Sequence, residues 1–139
     1  NLKMGLLGKP GLGSTVPAWA YEMFPILEER RTQRAGTMSG GQQQQLAIMR
    51  ALLGKPQLLI LDEPSEGIQP SIVHDIGTAL RRHADTEGLT VLLVEQNLDL
   101  VSLLAHHALF MENGTIVERV DDVSRLHDDP ALINRYLTV

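Results

Sequence analysis

Leu58-Leu59-Ile60-Leu61-Asp62-Glu63-Pro64 is the stretch on which the fold turns: four aliphatic residues run straight into two adjacent carboxylates and a proline. Entered through Gly54-Lys55-Pro56 and closed by Pro64, it predicts a short strand. An unbroken apolar run of this kind predicts burial on both faces, in a parallel sheet flanked by helices. Such a strand delivers its C-terminal residues to the crevice where α/β proteins bind ligands. Two neighbouring carboxylates at that edge repel each other, and a cation or a polarised water relieves the repulsion. A divalent metal fits Asp62 and a water fits Glu63. The plainer alternative is an Asp-Glu-Pro that merely ends a strand.

The balance is tipped upstream, at Ser39-Gly40-Gly41-Gln42, which precedes an apolar helical pattern. Ser39 is a good N-cap, and two glycines let a phosphate approach backbone N–H groups at the positive end of the helix dipole. Either piece alone is a weak signal, and the two in this order are a strong one. Met38-Ser39-Gly40-Gly41-Gln42 followed by Leu58-Leu59-Ile60-Leu61-Asp62-Glu63-Pro64 resembles the signature and Walker B motifs of ATP-binding cassette (ABC) ATPases.

Composition sets the outer bounds. The 139 residues, 43% of them apolar, suffice for one domain with its own core. The absence of cysteine excludes disulfides, thiolate metal sites and a thiol nucleophile. A net charge of −5 and a pI near 5.4 give no electrostatic footprint for nucleic acid. No apolar run approaches the roughly 18 residues of a membrane span, and no signal-peptide pattern is present, so the expected location is cytoplasmic. The five histidines, at 74, 83, 106, 107 and 127, show no metal-ligand spacing.

Outward from the two motifs, the chain alternates helix and strand signals. Asn1 to Leu7 has a short helical face, and Gly8 to Ser14 is loop chemistry. Lys9 precedes Pro10 and follows no strand, so this loop lacks the Gly, four residues, Gly-Lys-Ser/Thr order of a phosphate-binding loop. Val16 to Glu29 predicts a helix broken or restarted at Pro25. Trp19, Tyr21 and Phe24 read as a local core cluster, with a partner-docking surface as the alternative. Arg30, Arg31 and Arg34 read as a solvated basic turn. Gln42 to Leu53 predicts a largely buried helix ended by Gly54. Ile72, Ile76 and Leu80 form a core stripe on the next helix, which begins at Pro70 and ends at Gly88. Leu89 to Val94 is a second apolar strand ending in Glu95-Gln96-Asn97, and two strands joined by a helix make a parallel unit by default. Asn97 caps a helix through Leu98 to Ala105. Asn113-Gly114 predicts a hairpin between Ala108 to Glu112 and Thr115 to Glu118. Asp129 and Pro130 start a last helix with Leu132, Ile133 and Tyr136.

The resemblance covers nearly the whole chain and implies an α/β fold: the C-terminal part of an ABC-type P-loop NTPase. Residues 1–56 are similar to the helical subdomain with the signature motif and its helix. Residues 57–139 are similar to the second half of the nucleotide-binding core, with parallel strands, flanking helices, a hairpin and a C-terminal helix. By the same resemblance, Ser39, Gly40, Gly41 and Gln42 close over the γ-phosphate of ATP held by another subunit. Asp62 supports Mg²⁺, mostly through water, and Glu63 polarises the attacking water. Ser65, Glu66, Gly67 and Ile68 occupy the D-loop, which lies between the two ATPase copies. Gln96 takes the catalytic place of the family's switch histidine; glutamine can donate to a phosphate but carries no proton or charge there.

The implied cofactors are ATP and Mg²⁺. The implied partners are a second ATPase subunit, transmembrane permease subunits and, indirectly, a solute-binding protein, with no nucleic acid. This chain would sit peripherally on the inner face of the membrane. The likeness is greatest to ATPase subunits of importers for urea and branched-chain amino acids. Val16-Pro17, Tyr21-Glu22-Met23-Phe24-Pro25, the glutamine run and Glu66-Gly67-Ile68-Gln69-Pro70 favour urea. The family's Walker A half, which precedes these motifs, is expected upstream of Asn1, so these residues alone are expected to be inactive. A truncated, non-catalytic interaction module is the reading from another class. A DNA-repair or translation ATPase would want long heptads or a basic groove, and neither is present.

Overall fold

A computed structural model of the chain describes residues 1–7, 15–124 and 126. Its packing centre is helix α3 (Gly40–Leu53). Ser39 starts this helix with a capping box: the Ser39 hydroxyl accepts the Gln42 N–H at 3.4 Å, and Gln42 Oε1 accepts the Ser39 N–H at 3.1 Å. Leu46, Ile48, Met49, Leu52 and Leu53 are buried, and Ala47 and Ala51 are exposed. Each fully buried side chain of this size contributes about 1.5–3 kcal/mol. A 3₁₀ turn, Leu2–Leu6, lies against the far end of α3. Gly5 permits that approach, because a Cβ there would run into the Arg50 carbonyl.

Pro25 splits the first helical segment as expected, into α1 (Ala18–Met23) and α2 (Ile26–Glu29). Phe24 is buried, and Trp19 and Tyr21 are half-buried against the same core. The aromatic cluster is therefore core. Arg30, Arg31 and Arg34 are exposed. At the end of α3, Gly54 is the cap but stays right-handed at φ −71°, and the left-handed residue is Lys55 at φ 46°.

Strand β1 (Leu58–Asp62), helix α4 (Pro70–Glu87) and strand β2 (Thr90–Val94) form the expected parallel unit, in register from Leu58 opposite Thr90 to Asp62 opposite Val94. Pro70 occupies the first turn of α4, and Gly88 at φ 67° closes it. The expectation of burial on both faces is corrected. Leu59 and Leu61 join the core with Ile48, Met49, Ile76 and Leu80, whereas Leu58 and Ile60 are 50% and 60% exposed. On β2, Leu92 and Val94 are likewise about half exposed, at 52% and 51%. Among the described residues, the helices cover one face of this pair and leave the other open.

Asn97 caps α5 (Leu98–Leu104) by accepting the Leu100 N–H at 3.2 Å. The hairpin of β3 (Ala108–Glu112) and β4 (Thr115–Val120) turns through Asn113 and Gly114, both at positive φ. A small second core of Val120, Val123 and Leu126 lies beneath it, packed with Leu98, Val101 and Phe110. The expected loop at 8–14 and the last helix from Asp129 fall outside the described residues. No described helix is long and apolar enough to cross a membrane.

Candidate functional site

The parallel pair sends both strands to one edge, and the side chains just beyond it meet. The ladder extends one step past β1, with the Glu63 N–H donating to the Val94 carbonyl at 2.8 Å. Glu63 then adopts φ 44°, a left-handed conformation that costs a non-glycine residue about 1–2 kcal/mol. Such a conformation persists where its surroundings over-determine it. Here the Glu63 carbonyl accepts the Glu66 N–H at 3.1 Å, and Ser65 accepts from Ile68 at 3.1 Å, so 63–68 is a compact double turn with Gly67 at φ 66°.

The Glu63 carboxylate accepts a hydrogen bond from Gln96 Nε2 at 2.9 Å. Glu95, next to it, accepts the backbone N–H of Ser65 at 2.9 Å on one oxygen. Its other oxygen accepts those of Gln96 at 2.8 Å and Asn97 at 3.0 Å. Burial pushes the Glu95 carboxyl up, but the hydrogen bonds from Ser65, Asn97 and Gln96 together outweigh burial and hold it below the usual carboxylate range. Asp62 is exposed at the strand end, and its carboxylate makes no hydrogen bond among the described residues. No cluster of three or more His, Asp or Glu side chains that could cage a metal occurs among them. A lone hard carboxylate nonetheless suits Mg²⁺, which keeps several waters and takes further oxygens from phosphates.

Glu63, Gln96 and Ser65 are thus brought together, with Glu95 among them. The sequence marks Glu95 only as a polar strand end, and the register is the available signal: it lies one step beyond Val94, the partner of Asp62. The signature residues stand apart, since the hydrogen bonds of Ser39 and Gln42 described here stay within the start of α3. They meet the 63–68 turn and the start of α4 by packing: a Cβ on Gly41 would lie 2.8 Å from Ile72 Cδ1 and 3.2 Å from Ile68 Cγ2. A cleft of about 1100 Å³ between the N-terminal helices and α4 is lined by Trp19, Phe24, Lys55, Arg82 and His83. Of the site residues named above, only Gln42 reaches it.

The candidate site is therefore a parallel strand that ends in paired carboxylates, a compact double turn and a polar group at the end of the second strand. The family model described as ABC transporter matches residues 18–66. A high-affinity branched-chain amino acid transport ATP-binding protein, BraG of Pseudomonas aeruginosa, is 50% identical over 116 residues, 84% of this chain and 49% of that protein. A probable branched-chain amino acid transport ATP-binding protein, LivG of Methanocaldococcus jannaschii, is 32% identical over 117 residues, 82% of this chain and 45% of that protein. A solved ATP-binding cassette of an ABC transporter, in its ADP conformation, superposes with a TM-score of 0.67 at 28% identity, covering 99% of this chain and 63% of that one. The chain belongs to the ABC transporter family. It spans about half the length of the curated relatives it matches.

Proposed function

We propose that this chain supplies the signature motif and the water-polarising part of an ABC importer ATPase, and that the imported solute is a branched-chain amino acid. The observation that carries the reading is the Glu63 carboxylate held by Gln96 beside the exposed Asp62, at the edge where a parallel sheet binds ligands. Glu63 takes the role of general base toward water, and Gln96 fixes the orientation of the carboxylate. Asp62 would hold Mg²⁺ through water. The ion would neutralise charge on the β- and γ-phosphates of ATP, where catalysis is mostly positioning and electrostatic stabilisation. Ser39, Gly40, Gly41 and Gln42 would face a nucleotide on the second ATPase copy, with Ser65, Glu66, Gly67 and Ile68 at the joint between the two. The permease would hold the pair at the inner face of the membrane.

No Gly, four residues, Gly-Lys-Ser/Thr sequence occurs within these 139 residues, so turnover belongs to a cassette-length polypeptide that joins them to such a loop. Branched-chain amino acids are favoured over urea because the two relatives above are named as branched-chain amino acid transport proteins. The test is ATP hydrolysis by that polypeptide, reconstituted with its permease and binding protein in liposomes. Leucine should stimulate hydrolysis and urea should not, and stimulation by urea alone would return the reading to urea.

A further inference from the structure

Beyond Glu63, the ladder between the two strands ends and their continuations part: 63–68 turns toward α4, and 95–97 turns into α5. Two side chains span the gap, those of Glu95 and Gln96. The Glu95 carboxylate accepts the N–H of Ser65, thirty residues away, and the N–H groups of Gln96 and Asn97. Gln96 in turn donates to Glu63. A connected path therefore runs from the backbone of Ser65 through Glu95 to the backbone of Gln96, and from the Gln96 side chain to the Glu63 carboxylate.

We propose that Glu95 is a positioning residue for ATP hydrolysis, a carboxylate clamp that fixes the D-loop at Ser65 and the orientation of Gln96, and through Gln96 that of Glu63. The inference rests on the ATPase reading above and adds a residue to it. A carboxylate suits this task because it is all acceptor: its two oxygens take three N–H donors at once. An amide in its place keeps the shape but offers a single acceptor oxygen and turns two donors of its own toward those N–H groups. Glu63 is held at positive φ by the same turn, so loosening Ser65 also loosens the backbone that aims the base.

The test uses Glu95→Gln in the cassette-length ATPase, with thermal unfolding as a check that the fold is kept. Removal of an outer-shell partner of this kind is expected to lower kcat by about 10–100-fold, with KM for ATP within about two-fold because ground-state binding does not use the clamp. In a Gln96→Ala background the same change should cost less than it does alone, because one arm of the path is already gone. The second readout needs no turnover: the backbone amide resonance of Ser65 should shift in Glu95→Gln and stay put in Gln96→Ala. An unmoved Ser65 resonance, or a kcat unchanged by Glu95→Gln, overturns the clamp. A parent protein that fails to hydrolyse ATP, with the Ser65 resonance still shifting in Glu95→Gln as expected, overturns the ATPase reading and leaves the contact standing.

Discussion

Gln96 Nε2 lies 2.9 Å from Glu63 Oε1, so an uncharged amide holds the carboxylate that a protonatable imidazole would otherwise be expected to hold. The donor cannot titrate, so the contact is indifferent to pH over the range in which a histidine would gain a proton. Glu63→Gln keeps this geometry, since the new amide oxygen still accepts from Gln96, and removes only the charge. In the cassette-length ATPase this change should cut kcat by at least about 10²-fold, the usual worth of a general base, while ATP binding is retained. Steady-state hydrolysis beside nucleotide titration checks it, and a parent-like rate would remove Glu63 from that role.

Gln96→His isolates the same contact from the other side. A neutral imidazole can still donate to Glu63, whereas a protonated one adds a positive charge beside the base. A pH–rate profile should therefore gain an acid limb near the histidine range, around pH 6.5, that the parent lacks. Identical profiles for parent and variant would show that residue 96 does not act on the base.

Much of this site is legible in the sequence, because its parts are local. Four aliphatic residues before Asp62-Glu63, a capping serine before two glycines, and polar residues at the end of the second strand each report through short-range pattern. What the sequence does not reveal depends on side chains meeting across a turn. Glu95 reads as a generic strand end until the ladder is drawn, and its partner Ser65 is thirty residues away. The burial of β1 is misread for a related reason: an apolar run states that both faces can be covered, not which elements cover them. Leu59 and Leu61 meet helices, while Leu58 and Ile60 do not.

Ser39 separates a structural from a functional role. As the N-cap of α3 it closes a reciprocal box with Gln42, so Ser39→Ala should lower stability by about 1 kcal/mol, read from the denaturant midpoint. Ser39→Arg should additionally stop turnover of the paired ATPase, because the side chain would block closure over the partner's nucleotide. Nucleotide affinity of the isolated cassette should be nearly unchanged. A large loss of that affinity, measured by fluorescent-nucleotide titration, would place Ser39 at the nucleotide of its own cassette instead.

Gly41 and Gly77 sit where side chains of other elements leave no room. A Cβ on Gly41 would lie 2.8 Å from Ile72 Cδ1, and one on Gly77 2.6 Å from Leu103 Cδ2. Gly40, one residue away, has nothing within 4 Å of its Cβ position. Alanine at 41 or 77 should cost about 1–3 kcal/mol through overpacking, and alanine at 40 should change stability by no more than about 0.5 kcal/mol. Chemical unfolding of the three variants decides it, and equal effects at 40 and 41 would sink the packing account.

Acid should destabilise the fold through two groups of opposite charge type. Glu95 is held below its ordinary value by the N–H groups it binds. Its contribution is complete above the unfolded value near 4.5 and is lost as pH falls through the lower folded one. His83, stacked on Trp19 at 5.1 Å between ring centroids, is lowered by burial, which outweighs the pull of Glu87. It binds fewer protons folded than unfolded, so stability begins to fall as pH drops into the unfolded histidine range near 6.5. Melting temperatures from pH 7.5 down to about pH 3 should show both losses. His83→Gln should remove the upper one and Glu95→Gln the lower.

The open face of the β1–β2 pair predicts how residues 1–139 behave alone. Ile60 lies directly opposite Leu92, and Leu58 and Val94 flank them on adjoining positions, each half exposed or more. Removing apolar surface from water is worth about 25 cal/mol per Å², and a contiguous apolar sheet face is the kind of patch that finds a partner. The available partner in a pure solution is another copy. Light scattering coupled to size exclusion should therefore show self-association that deepens with protein concentration. Ile60→Lys combined with Leu92→Glu places an opposite-charge pair across the two strands, which keeps the pairing and removes the apolar centre of the face. That variant should run as a monomer with its far-ultraviolet dichroism unchanged. A parent chain that is already monomeric at tens of micromolar, or a variant that associates as strongly as the parent, would locate the attraction elsewhere.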